Sequence, residues 1–185
     1  MLRTERLILR AFGHGDLSDL NEYAQSPLVG PMAGWKPHES MEESAEALEL
    51  FLAADDNWAI VRKDDLKTIG SIGLPADRKR ENDEARMLAY ALGAPYWGMG
   101  YMAEAAQALL AHAFQDLRLS LVSAYHYPFN QQSRRVLEKT GFKMEGALRR
   151  SQKTHNGDIL DAVCYSITRE EWLTRLPMIP HEEGP

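Results

Sequence analysis

The chain has 185 residues, 44% of them hydrophobic and 26% charged, which is enough to bury a core without disulfides or metals. With 27 acidic against 21 basic residues and a formal charge of -6, it lacks the Lys/Arg excess of a nucleic-acid binder, and the six histidines show no metal-ligand spacing. No apolar run reaches the ~18 residues of a membrane span, no secretory signal follows Met1–Arg6, and the single Cys164 cannot form an internal disulfide, so a cytoplasmic protein is expected.

Arg6–Arg10 alternates as a strand, and Asp16–Ala24 carries the cap and the Leu17, Leu20, Ala24 stripe of a short helix. The Pro- and Gly-rich segment 27–37 reads as a loop. Ser40 and Glu43 form a capping box for a helix expected to bury Met41, Ala45, Leu48 and Leu52, with Glu42, Glu46 and Glu49 turned to solvent. Trp58–Arg62 and Thr68–Leu74 predict a hairpin through Lys63-Asp64-Asp65, and a charged loop, Asp77–Glu84, leads to a strand over Arg86–Leu92. Gly98-Met99-Gly100 precedes a helix whose inner face is Met102, Ala105, Ala106, Leu109, Ala113 and Leu117. A strand over Leu119–Tyr127 follows, then a helix capped by Asn130 and closed by Gly141, and finally strands Phe142–Ala147 and Ile159–Thr168. The expected organisation is one domain over residues 1–176 and a loose tail over 177–185.

The chemistry concentrates between the strand ending at Leu92 and the next helix. Two glycines let backbone approach a ligand and aim successive amides at one point. The first turn of the following helix adds unpaired amides and a partial positive charge. Together these make an anion site suited to a diphosphate, unless the glycines serve only a tight turn.

The run Tyr96–Ala105, taken with Asn130-Gln131-Gln132-Ser133-Arg134-Arg135-Val136-Leu137-Glu138-Lys139-Thr140-Gly141-Phe142, resembles the GNAT superfamily of acetyltransferases, and within it the RimJ/RimL-like ribosomal-protein N-terminal acetyltransferase branch. The likeness begins at Thr4–Arg10, passes through Ile69–Leu74, and closes at Asn156-Gly157, Asp161 and Thr168–Trp172, so it covers nearly the whole chain. It implies an α/β (mixed α+β) fold, the GNAT acyl-CoA N-acyltransferase fold, with a mostly antiparallel sheet of about seven strands and about four flanking helices. It also implies acetyl-CoA as co-substrate and a primary-amine acceptor: a peptide N-terminus, a polyamine, an antibiotic amine or a metabolite. Homodimers are common in the superfamily, with no interface legible here.

Carried onto this chain, the superfamily pattern falls on Trp97, Gly100 and Met102, where Trp97 stands for the usual Gln or Arg and Met102 for a small residue. Amides of Gly98, Met99, Gly100, Tyr101 and Met102 would then hold the pyrophosphate, with the pantetheine arm between splayed strands near Leu92, beside Asn130 and Ser133, while Arg134 and Arg135 would meet coenzyme phosphates or merely sit on the surface. The tyrosine that many members place on the later helix is Leu137 here, leaving Ser133 to serve the departing thiolate. A glutamate of this branch falls at Met87, so Glu84, His126 and Asp161 are the candidates for the base. A backbone amide near Ala91 or Leu92 would face the oxyanion, and Trp35, Tyr90 and Asp161 would line the acceptor side. Cys164, mid-strand among apolar residues, reads as a buried side chain rather than a nucleophile. Two other functions fit parts of the sequence. One is an NAD-dependent enzyme, through the match of Gly98–Ala103 to G-x-G-x-x-A, although the preceding strands are not parallel strand–helix units. The other is a non-catalytic acyl-CoA sensor, suggested by the missing Tyr and Glu.

Overall fold

The computed structural model describes residues 1–175, so the expected tail over 177–185 lies outside the described residues. In chain order, β1 (Leu2–Arg3) and β2 (Leu7–Arg10) precede α1 (Leu17–Ala24), the single turn α2 (Gly30–Ala33) and α3 (Met41–Ala53). The antiparallel hairpin β3 (Asn57–Arg62) and β4 (Thr68–Gly73) follows, then β5 (Ala85–Met87) and β6 (Ala89–Leu92). After these come α4 (Tyr101–Ala111), β7 (Leu121–His126), α5 (Gln131–Thr140), β8 (Lys143–Lys153), β9 (Ile159–Thr168) and α6 (Arg169–Leu173).

The strand expected over Arg86–Leu92 is divided at Leu88, and the division creates two sheets. β6 continues the antiparallel order β1-β2-β3-β4-β6, whereas β5 opens a second sheet in the order β5-β7-β9-β8. β5 runs parallel to the start of β7, with Met87 opposite Ser123, and the amide of Leu88 gives a last bond to the Ser123 carbonyl at 2.8 Å. Beyond it, among the described residues, β6 pairs only with β4, and Ala124–His126 pair only with β9. Mixed sheet and flanking helices are those of the expected fold class.

The larger core lies where α4 and α5 pack over both sheets, burying Leu7, Ile60, Leu92, Leu109, Val122, Leu137 and Ile167 among others. Each such Leu or Ile contributes ~1.5–3 kcal/mol relative to exposure. A smaller cluster under α1 and α3 gathers Phe12, Leu20, Leu48, Val61 and Ala91 on the opposite face of the first sheet. Alternation along β6 therefore turns Tyr90 and Leu92 toward α4 and α5, and Ala91 the other way.

Several expectations need correction. Met41 is 44% exposed, and the inner face of α3 carries Ser44 and Leu48 instead. Ser44 is buried because its hydroxyl donates to Asn21 Oδ1 at 2.9 Å and meets His38 Nδ1 at 2.8 Å. The Ser40 hydroxyl accepts the Glu43 amide, but the Glu43 carboxylate returns to the amide of Glu39 rather than to its cap. Leu117 is 47% exposed because α4 ends in a wide turn over His112–Asp116, where the Leu117 amide reaches back five residues to the His112 carbonyl. That extra residue per turn rotates Leu117 off the inner face. The strand expected to stop at Ala147 runs to Lys153, through irregular registers at Met144/Gly146 and Leu148/Gln152.

Candidate active site

The segment between β6 and α4 has the backbone an anion cradle needs. Gly98 and Gly100 stand at φ +76° and +82°, in the left-handed region that side chains disfavour. α4 starts on Gly100 with no side-chain cap. Its first internal bond is from Glu104 to the Gly100 carbonyl, and among the described residues no acceptor meets the amides from Gly98 through Ala103. Six consecutive N–H groups at a helix start are a concentrated partial positive charge.

The loop is held from both sides. The Trp97 indole donates to the Leu92 carbonyl at 2.8 Å, folding the loop back on β6. Arg6 donates through Nη1 to the Met99 carbonyl at 3.0 Å and through Nε to Glu104 at 2.7 Å, while Thr4 bonds the same carboxylate at 2.6 Å. Burial alone would raise the Glu104 pKa, but the donors from Thr4 and Arg6 outweigh it and hold the group below the usual carboxylate range. A Cβ added at Gly100 would lie 3.5 Å from Arg6 Nη2 and 4.0 Å from Lys139 Nζ, which places two cations beside the cradle.

From this loop a cavity of about 330 Å³ runs between β6 and α5 to the α2 turn. It is lined by Tyr90, Leu92, Trp97, Gly98, Gly100, Tyr101, Met102, Asn130 and Ser133, all of them named from the sequence. It also takes in Val29, Met32 and Ala33 from the α2 region, together with Gln132, Arg135, Val136 and Lys139 on one face of α5. The α2 contribution has no sequence signal beyond a Pro/Gly-rich stretch, since only the folded chain brings it there. Arg135 is named from the sequence beside Arg134, and Lys139 follows from its i, i+4 spacing to Arg135 once the orientation of α5 is fixed.

At the start of α5, both ends of the Asn130 amide make internal bonds. Its Oδ1 accepts the Ser133 amide and its Nδ2 donates to the Met32 carbonyl, each at 3.0 Å, which ties α2 to the helix cap. Ser133, in the first turn, puts its hydroxyl 2.7 Å from the Tyr90 hydroxyl on β6. Leu137, at the position of the absent tyrosine, is fully buried core. Along β6 the Gly93 amide bonds to β4, and alternation turns the Leu92 amide the other way, toward the opening between the sheets.

The remaining sequence candidates stand away from the cavity. The Met99 side chain is exposed at the loop tip. Arg134 points outward and pairs with Glu138 at 2.8 Å. Glu84 is exposed in the turn before β5, where its carbonyl accepts the Ser120 amide. His126 is buried, with Nδ1 2.7 Å from the Tyr127 carbonyl and its ring against Tyr165. Trp35 packs with the α1–α3 cluster, and Asp161 accepts the Arg150 amide at 2.8 Å, shaping the β8–β9 hairpin. Cys164 is buried, and burial pushes its thiol pKa up, away from nucleophilic use.

Asp77 was legible only as part of a charged loop, yet it is almost fully buried. It accepts the hydroxyls of Ser123 at 2.5 Å and Tyr125 at 2.7 Å. Burial raises its pKa, and these donors outweigh that and leave the group below its ordinary value. It pins the incoming loop to β7 at the residue where the sheets part.

The family model described as the acetyltransferase (GNAT) domain matches residues 6–143, most of the chain. The chain belongs to the GNAT acetyltransferase family and is an acetyl-CoA-dependent N-acetyltransferase. It is similar to the N-acetyltransferase p20 of Bacillus licheniformis, at 29% identity over 176 residues, 92% of this chain and 97% of that one. The structure of a GNAT-family acetyltransferase from Bacillus anthracis matches with a TM-score of 0.81 at 25% identity, covering 91% of this chain and 98% of that one. The ribosomal-protein-S5-alanine acetyltransferase of Vibrio fischeri shares the fold, with a TM-score of 0.74 at 22% identity over 92% of this chain and 97% of that one.

Proposed function

We propose that this chain is a cytoplasmic enzyme of the RimJ/RimL-like branch. It transfers acetyl directly from acetyl-CoA to a primary amine, a protein N-terminal α-amine or a small-molecule amine, with both substrates bound at once. The observation that carries this reading is the row of unpaired amides from Gly98 to Ala103 opening into a cavity that the Tyr90–Ser133 hydroxyl pair lines. The amides and the nearby Arg6 and Lys139 suit a diphosphate. The pantetheine arm fits the opening between β6 and β7, which brings the thioester carbonyl toward the Leu92 amide. That amide is the donor for the oxyanion formed when a neutral amine attacks. Holding both substrates in one cavity supplies much of the acceleration, so a strongly basic side chain is not required. α2, joined to α5 by Asn130, forms the acceptor-side wall.

The test is release of coenzyme A thiol from acetyl-CoA against N-terminal peptides, polyamines, aminoglycosides and amino acids. Turnover with one class is the expected result and names the acceptor. Saturable coenzyme binding with no turnover across the panel would refute the proposal in favour of a sensor.

A further inference from the structure

Two hydroxyls meet in the wall of the cavity. Tyr90 Oη lies 2.7 Å from Ser133 Oγ, and its other contact, with the Ser133 carbonyl, is long at 3.4 Å. Either oxygen can donate in this pair; with Tyr90 as donor, Ser133 Oγ, which has no second hydrogen-bond partner among the described residues, keeps its own proton free to point into the cavity. One phenol and one alcohol in series, the alcohol nearer α5 and both lining the same space, form a proton wire with one donor end.

We infer that Tyr90 is the proton donor behind Ser133 in acetyl transfer, and that it supplies from β6 the phenol that α5 lacks at Leu137. The inference rests on the proposed transferase reading. The amine nitrogen bonds to the thioester carbon, and the carbonyl π pair moves to oxygen. When the carbonyl re-forms, the C–S bond breaks and its electron pair stays on sulfur. Ser133 gives its proton to that sulfur and takes the proton of Tyr90. The proton shed by the acylated nitrogen returns through solvent to the phenolate. A phenol, ordinarily near ~10, is a far stronger acid than an isolated alcohol, so the relay leaves the negative charge on Tyr90 and not on Ser133, although burial widens its gap to a thiol near ~8.5. Burial pushes the pKa of Tyr90 upward, so the phenol keeps its proton across the neutral range.

Tyr90→Phe keeps the ring and removes only the hydroxyl. With the amine that the wild type acetylates, kcat is expected to fall about 10²-fold, the usual size of an acid contribution, while the Kd for acetyl-CoA stays within about twofold, since the ring that lines the cavity is kept. In mixed light and heavy water, the wild-type single-turnover rate should depend on isotope fraction with the curvature of two moving protons, and that curvature should vanish in the variant. Ser133→Ala combined with Tyr90→Phe should be no slower than the slower single variant, because the pair acts as one unit. A Tyr90→Phe kcat within threefold of wild type overturns the inference and leaves the transferase reading standing. So does a fall in kcat matched by lost coenzyme affinity, the signature of a mere tether between β6 and α5. A wild type that binds acetyl-CoA but acetylates no amine overturns both.

Discussion

Gly100→Val separates a diphosphate cradle from a tight turn. At φ +82° a side chain costs about 1–2 kcal/mol, and a β-branched one is the worst case. The new Cβ meets only the flexible tips of Arg6 and Lys139, at 3.5 Å and 4.0 Å, so the penalty is conformational and not a clash. If the loop holds its shape, the strain appears as lost stability, roughly 2–8 °C in Tm for a chain of this size. The added methyls then stand between the two cations and any bound anion. If the loop relaxes, the amides from Gly98 to Ala103 no longer converge. Either way the Kd for acetyl-CoA should weaken at least about tenfold, or 1.4 kcal/mol. A pantetheine thioester lacking the diphosphate should bind as it does to wild type. Titration calorimetry with both ligands, beside a thermal melt, reads the result. A lowered Tm with an unchanged acetyl-CoA Kd would show that the glycines make a turn and nothing more.

Asn130→Ala removes a cap and strands the Met32 carbonyl, and should cost about 2 kcal/mol. Asn130→Asp, which keeps the acceptor for Ser133, should recover about half of the loss in urea unfolding. Equal losses would mean that the cap contributes nothing. Asp16 is buried, which raises its pKa, but bonds from Arg10, Thr68 and the Gly13 amide outweigh burial and hold it below the ordinary value. A carboxylate depressed in the folded state stabilises fully above its unfolded pKa near ~4, and that stabilisation is lost as pH falls through the folded value. Asp16→Asn should therefore cost about 2 kcal/mol at pH 7, allowing for the partial exposure of Arg10, and the gap from wild type should narrow toward about pH 3. A gap that does not change with pH would remove the ion pair from the account.

What the sequence made legible was local. The Asn130 cap, the Gly141 stop, the glycine loop and the β9 limits each depend on residues within a turn of one another, and the structure reproduces those elements. What stayed hidden depends on partners distant in sequence. Apolar residues run without a break from Met87 to Leu92, so no pattern marks Leu88 as the residue where pairing passes from one sheet to the other. Ser44 is core because Asn21 and His38 satisfy it, and an apolar periodicity cannot see a polar core residue. In sequence Asp77 is one more charge in a charged loop, and only the fold brings Ser123 and Tyr125 to donate to it. In the site, the residues of the cradle were readable because backbone chemistry demands glycine there. The Tyr90–Ser133 pair joins residues 43 positions apart, and neither side chain announces the other.

Among the described residues the division at Leu88 leaves nine strands in two sheets, with facing edges at β6 and at the far half of β7 that no third strand fills. Proteins ordinarily hide or blunt such edges, because a row of free amides and carbonyls recruits whatever can complete it. On the proposed reading the recruit is a slender chain with amides of its own, laid in as an extended peptide is laid onto a sheet. The coenzyme arm is then a borrowed strand. The sheet is whole only while substrate is present, and every release of product takes away a piece of the protein's own secondary structure.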